Sequence, residues 1–154
     1  MRPARFQEFT LDVLPKAPEI QTVNVWDGRA FGLHLTFNTG SQLWIGSTAQ
    51  AAPGEQGDQA ETPVHGDTPA EVPYPDLYEG GKITPARAED YLAAALTNSH
   101  NDEIASVYPY GSEAKNPGLG VRFHSGARIF MLFEIAGRPG QSADGQKYSL
   151  PPTF

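Results

Sequence analysis

The chain contains the stretch GLHLTFNTGSQLWI at residues 32–45 and repeats its pattern as GLGVRFHSGARIFM at residues 118–131. Without a gap, four of the fourteen aligned positions are identical and six more are conservative. Each copy alternates apolar and polar residues around a central turn that ends in glycine, which is typical of a β-hairpin. The sequence therefore predicts that the same type of hairpin occurs twice. This repeat indicates the architecture of the fold but does not indicate a biochemical activity.

Strand patterns occur at seven places along the chain. Residues 6–14 alternate Phe9, Leu11 and Val13 with polar residues, and this period of two favours a half-buried strand. The other strands are expected at residues 20–26, 30–37, 41–46, 103–108, 119–123 and 127–136. The last of these is apolar on both faces, as expected for a central strand covered on one side by a helix.

One helix is predicted, at residues 85–96. Thr84 supplies an N-cap, and Pro85 suits the first helical position. Apolar residues then recur at the spacing of a single helical face, at Ala88, Tyr91, Leu92, Ala95 and Leu96. We expect this face to pack on the sheet.

The predicted organisation is one α+β domain over residues 1–154, with about seven mostly antiparallel strands, two similar meander units and one packed helix. A chain of 154 residues suits a single core. The expected parts are a first meander at 1–48, an acidic Pro/Gly-rich insert at 49–83, the helix at 84–98, a second meander at 103–136 and an irregular tail at 137–154.

The net charge of −7 is concentrated in one segment. Between residues 30 and 81 there are seven acidic residues and no Lys or Arg, whereas eleven acids and eleven bases occupy the rest of the chain. Direct binding of nucleic acid is disfavoured, because it depends on Lys and Arg that neutralise phosphates. The insert is compatible either with a solvated loop or with a surface for a basic protein partner.

The sequence contains no recognised motif for catalysis, metal binding or cofactor binding. We therefore expect no catalytic site, no bound metal and no cofactor. The absence of cysteine excludes disulfides and Cys-ligated metals. For an enzyme with an unrecognised site, the least unfavourable candidates are Glu134, within an apolar strand, and His34 and His124, on the two hairpins. Glu134 is more simply explained as an edge residue or as the partner of an arginine such as Arg122.

No apolar run approaches the roughly 20 residues needed to span a bilayer. Residues 1–14 carry two arginines followed by acidic and polar residues instead of the apolar core of a signal peptide. The sequence therefore predicts no membrane association and a cytoplasmic location.

These observations predict a protein that works by binding another protein. Tyrosines in loops are typical interface anchors, and an acidic segment suits a basic partner. We expect a non-catalytic inhibitor, immunity protein or adaptor of bacterial or phage type, and self-association is compatible with it. A structural or accessory subunit of a larger assembly, such as a virion or secretion apparatus, and an enzyme are the alternatives. The predicted partner-binding residues are Glu55, Asp58, Glu61, Asp67, Glu71, Tyr74, Asp76, Tyr78 and Glu79.

Overall fold

A computed structural model describes residues 1–145 and 147–154 of the chain. It has an α+β fold with two helices, α1 (Pro3–Val13) and α2 (Pro85–Thr97). Six strands form one antiparallel sheet: β1 (Ile20–Trp26), β2 (Gly32–Phe37), β3 (Gln42–Gln50), β6 (Ile104–Pro109), β7 (Gly118–Phe123) and β8 (Arg128–Gly137). A separate two-stranded hairpin consists of β4 (Tyr78–Glu79) and β5 (Lys82–Ile83).

The strand order in the large sheet is symmetric about its centre. The order is β1-β2-β3-β8-β7-β6, with β3 and β8 as the central pair. A register shift interrupts β1 near its start, and the equivalent shift interrupts β6. The two meanders thus share their register, with equivalent cross-strand pairs at Leu33–Ile45 and Leu119–Met131, and at Leu35–Leu43 and Val121–Ile129.

Both predicted hairpins turn through a glycine in the left-handed conformation. Gly40 has φ +86° and Gly126 has φ +89°. The N–H of Gly40 donates to the carbonyl of Phe37 at 2.8 Å, and the N–H of Gly126 donates to the carbonyl of Phe123 at 2.9 Å. Side chains with a Cβ disfavour this conformation, so the glycine shared by the two sequence copies is required by the turn.

The strand predicted at residues 6–14 was wrong, because this segment lies in α1 and the short 3-10 turn that follows it. Pro3 occupies the start of the helix. A backbone N–H at this position would have no acceptor within the helix, so proline is tolerated there. Phe6, Thr10 and Leu14 are buried at intervals of four residues, which places them on one helical face. The alternating apolar residues that suggested a strand are only half-buried. Two helices, instead of one, therefore accompany the sheet.

The repeated unit is larger than the hairpin, because each meander is preceded by a helix. The helix α1 begins Pro3-Ala4-Arg5 and α2 begins Pro85-Ala86-Arg87. Each helix leads into a three-stranded meander. The chain is thus two units of one helix and three strands, joined edge to edge through β3 and β8.

One hydrophobic core joins both helices to one face of the sheet. Phe6 of α1 and Leu92 of α2 belong to a single buried cluster with the inward residues of β2, β3, β7 and β8. The rings of Phe6 and Phe123 meet edge to face with centroids 6.1 Å apart, so the first helix packs on the second meander. The prediction of a central strand at residues 127–136 is confirmed by β8.

The predicted α2 is confirmed together with its cap. The hydroxyl of Thr84 accepts a hydrogen bond from the N–H of Arg87 at 3.2 Å, and the five predicted apolar positions are all buried. The tail ends beside β5, where Phe154 is buried and exchanges two backbone hydrogen bonds of 2.9 Å with Ile83. Among the described residues, neither helix is long and apolar enough to cross a membrane.

Gly40→Ala and Gly126→Ala should each lower the free energy of unfolding by about 1–3 kcal/mol, because a residue with a Cβ is strained at positive φ. The added Cβ would also lie 3.0 Å from Pro139 Cγ in the first case and 2.9 Å from Pro53 Cδ in the second. Gly57→Ala is the control, since its Cβ would meet nothing within 4 Å. Urea denaturation gives the comparison. Wild-type stability in either turn variant would contradict the equivalence of the two turns.

Candidate functional site

The acidic insert lies on the surface as an extended strap, defined here as residues 51–77. It runs without helix or strand from the end of β3 to the start of β4. Its contacts follow α2 from the carboxyl end of the helix to its amino end, pairing Val72 with Asn98, Tyr74 with Tyr91 and Asp76 with Arg87. Residues 72–76 of the strap therefore run antiparallel to α2 along the outside of the fold.

Several anchors hold the strap by its backbone. The side-chain amide of Asn98 accepts from the N–H of Val72 and donates to the carbonyl of the same residue, each at 2.8 Å. His124 Nε2 lies 2.9 Å from the carbonyl of Asp67. Since these contacts use main-chain atoms of the strap, they fix its position and leave the carboxylate of Asp67 free for other contacts.

The beginning of the strap is held differently, by ion pairs to α1 and the residue before it. Arg2 Nε lies 2.6 Å from Glu55 Oε1. Arg5 donates to both oxygens of Glu61, at 3.0 and 2.9 Å, and to both oxygens of Glu103, at 2.7 Å each. Glu103 is only 5% exposed, so Arg5 pairs with a buried carboxylate and a strap carboxylate at once.

These ion pairs also change the acidity of the strap carboxyls. The hydrogen bond from Arg5 lowers the pKa of Glu61 to about 2. The hydrogen bond from Arg2 holds the pKa of Glu55 below its usual range. The carboxylates Glu103 and Glu61 in turn raise the pKa of Arg5. Glu55 and Glu61, two of the predicted partner-binding residues, are therefore committed to internal pairs.

Of the remaining predicted residues, Asp58 lies between Glu55 and Glu61, and the other six lie further along the strap and in β4. Glu71 lies 2.8 Å from His100, and Glu79 lies 3.7 Å from Arg87, in pairs that are largely exposed. Among the nine predicted residues, three exposed carboxylates have no hydrogen-bond or ion-pair partner within residues 1–145 and 147–154, and they belong to Asp58, Asp67 and Asp76. Tyr74 and Tyr78 line one cleft beside Glu19.

Sequence reasoning did not identify Glu89 of α2, which is a buried carboxylate without a basic partner in the described part of the chain. It is 2% exposed and accepts hydrogen bonds from the N–H groups of Gly118 at 2.6 Å and Gly111 at 3.0 Å. Burial raises its pKa. Its role is structural, because it fixes the loop between β6 and β7 against the helix.

Glu134 is an ion-pair partner, although of a different arginine from the one suggested by the sequence. Its Oε2 lies 2.7 Å from Arg29 Nε, and the Arg29 guanidinium stands 5.7 Å from the centre of the Trp26 ring. Arg122 stacks instead on Tyr108, 4.4 Å from the ring centre. Glu134 is thus neutralised, which does not suit a general base.

The two hairpin histidines do not form a pair. His34 stacks on Trp44 with ring centroids 4.5 Å apart, and its Nε2 lies 2.8 Å from Gln42 Oε1. His124 contacts the strap at Asp67. In the matched registers, the position equivalent to His34 is Gly120, so the two rings do not occupy related places.

Among the described residues, no group of three or more His, Asp or Glu side chains could hold a metal ion. No protein-family model, curated protein or solved structure matches this chain. The surface that stands out is therefore the anchored strap with its carboxylates and tyrosines.

Glu61→Gln should lower the free energy of unfolding at neutral pH by about 1–2 kcal/mol, because it removes a charge from a partly exposed, hydrogen-bonded pair with Arg5. The pKa of Glu61 is depressed in the folded state to about 2, from an ordinary value of 4.5. Its stabilising contribution is therefore complete above the ordinary pKa and is lost as pH falls toward the folded value. Chemical denaturation of both proteins from about pH 6 down to about pH 2.5 measures this difference.

Asp58→Asn serves as the control for this experiment, since Asp58 is exposed and has no partner in the described residues. It should change stability by less than about 0.5 kcal/mol at any pH in that range. A stability difference between wild type and Glu61→Gln that stays constant with pH would show that the ion pair is not the cause.

Proposed function

We propose that this protein is a non-catalytic inhibitor or adaptor that binds a basic protein through its acidic strap. The observation that carries the proposal is that the carboxylates of Asp58, Asp67 and Asp76 are exposed and without a partner in the described residues, while the strap backbone is anchored at Asp67 and Asp76. A solvated loop that served only for solubility would not need such anchoring.

An anchored strap favours binding for an energetic reason. A segment that is already held in one conformation loses little further conformational entropy when it meets a partner. Its carboxylates would also attract a basic surface at a distance and raise the rate of association. No Lys or Arg lies between residues 30 and 81, so the strap contributes no lysine or arginine charge that would repel such a partner.

The partner is proposed to be a protein with a basic surface of the kind that binds nucleic acid. Such surfaces use Lys and Arg to contact successive phosphates, and a row of fixed carboxylates can occupy the places of those phosphates. A toxin of the nuclease type has such a surface, and the present protein would then act as its inhibitor or immunity protein.

The double variant Asp58→Asn/Asp67→Asn should reduce capture of the partner, because it removes two exposed charges while leaving the backbone anchors intact. The control is Glu8→Gln/Glu113→Gln, which alters two exposed acids outside the strap. Both variants change the net charge from −7 to −5, so a difference between them reflects position and not total charge. The measurement is affinity capture from the native host with quantitative mass spectrometry, at low and high salt.

We expect the wild type and the control variant to retain the same basic protein at low salt, and the strap variant to retain several-fold less. Equal retention by the strap variant and the control would remove the strap from the interface. Retention that does not fall with salt would contradict an electrostatic interface.

A second candidate function, as a subunit of a larger assembly, is favoured by the free edge of β1. This strand lies at the edge of the sheet and contains no charged residue or proline, and Val25 is 52% exposed. The equivalent strand at the other edge, β6, ends in Pro109, which lacks the N–H that a further strand would need. Unprotected edges can pair with a strand from another chain.

If β1 joins copies of the chain, sedimentation velocity should detect a species larger than the monomer as concentration rises. Val25→Lys should abolish this species, because a charge on an edge strand opposes pairing. Val64→Lys alters a comparably exposed valine outside the sheet and should leave the species intact. A monomer at all concentrations in the wild type would argue against this second function.

A further inference from the structure

A cleft of about 310 Å³ opens where the end of the strap meets the start of β1. Tyrosine rings form much of its wall. The rings of Tyr74 and Tyr91 lie 5.1 Å apart at an angle of 33°, and Tyr78 lines the same space. Tyr91 is buried, whereas Tyr74 is 39% exposed, so one ring forms the floor and the other remains accessible to a ligand.

The charged residues in the wall of the cleft are both acidic. Glu19 and Asp76 line it, and no Lys, Arg or His does so. Arg87 contacts Asp76 from outside the cleft, where it donates to the backbone carbonyl and not to the carboxylate. Its second contact is with Glu79. The carboxylates of Glu19 and Asp76 therefore have no ion pair with a cation in the described part of the chain, although the Arg87 guanidinium lies beside the Asp76 backbone.

The hydroxyls of Tyr78 and Tyr91 stay protonated at neutral pH. Burial raises the pKa of Tyr91 to about 12 and raises the pKa of Tyr78. The hydroxyl of Tyr91 accepts a hydrogen bond from the N–H of Glu19 at 2.9 Å. The hydroxyl of Tyr78 lies beside Thr39 and Glu19, yet it is buried without a hydrogen bond to any described residue.

This combination of groups matches the chemistry of a cation. Aromatic ring faces attract cations, and the attraction is strongest where water is partly excluded. Carboxylates add charge-assisted hydrogen bonds to the same ligand. An anionic ligand would be repelled by the two carboxylates, and an apolar ligand would leave them without a partner.

We propose that the cleft lined by Tyr74, Tyr78, Tyr91, Glu19 and Asp76 receives an arginine side chain of the protein partner. A planar guanidinium stacks on tyrosine faces and donates to carboxylates in a fixed geometry, which the ammonium of lysine does not. The inference deepens the proposed function and rests on it for the source of the arginine. The carboxylates of the strap would attract a basic partner, and the cleft would then recognise the shape of one arginine side chain of that partner.

The direct test is an NMR titration of the full-length protein with N-acetyl-arginine amide. We expect the ring resonances of Tyr74 and Tyr78 to shift, and those of the exposed Tyr148, outside the cleft, to stay unchanged. N-acetyl-citrulline amide has nearly the same shape without the charge and should produce no shift. N-acetyl-lysine amide should bind more weakly than the arginine compound.

Two cleft variants should weaken this binding by about two- to fivefold each, Tyr74→Ala through the lost ring and Glu19→Gln through the lost charge. Tyr74→Phe keeps the ring and should bind as the wild type does, which separates loss of the ring from a change in fold. Tyr148→Ala is the matched control for removal of an exposed tyrosine. Absence of shifts, or equal shifts with citrulline, would overturn the proposal, and equal binding of lysine would overturn the preference for arginine.

The test distinguishes failure of this inference from failure of the proposed function. The strap variant Asp58→Asn/Asp67→Asn leaves the cleft untouched, since neither residue lines it. If that variant loses the partner while Tyr74→Ala and Glu19→Gln keep it, the inference fails and the proposed function stands. If arginine binds in the cleft but no basic protein is captured, the cleft stands as a cation site and the proposed function fails.

Discussion

The structure depends on the pairing of β3 with β8 at the centre of the sheet. This antiparallel ladder runs from Gln42 to Gln50 on one strand and from Arg128 to Gly137 on the other. It joins two units of one helix and three strands, each of which alone would leave much of its apolar sheet face open to water. Because the helices then share one core, with Phe6 packed against Phe123, the stability of each unit depends on the other.

The central position of β3 in the sheet also explains why the chain needs a long connection, the strap, to reach α2. The chain leaves β3 in the middle of the sheet and must travel along the outside of α2 before that helix can begin. Where it crosses α1, its acids are neutralised by Arg2 and Arg5. Further on it is held by backbone contacts at Asp67, Val72 and Asp76. One connection required by the topology therefore carries both structural ion pairs, through Glu55 and Glu61, and unpaired carboxylates, at Asp58, Asp67 and Asp76, and the proposed function belongs to the unpaired ones.

Most regular elements were predictable because their signals are local. The glycine turns, the cap at Thr84 and the apolar face of α2 each depend on residues a few positions apart. The segment at residues 6–14 was not predictable in this way, because its apolar residues fit a period of two as well as the helical period. Its helical state is decided by burial of Phe6 and Leu14 in a core formed by distant strands.

The sequence by itself determined the repeated hairpins and the concentration of acidic residues between residues 30 and 81, since turn chemistry and charge are properties of the residues present. Only the tertiary structure decided which acids are available, because Glu55 and Glu61 meet arginines more than fifty residues away. It alone also brought Glu19 to Tyr74 and Tyr91. Such long-range pairings follow from the way the two units pack, and no local pattern in the chain encodes them.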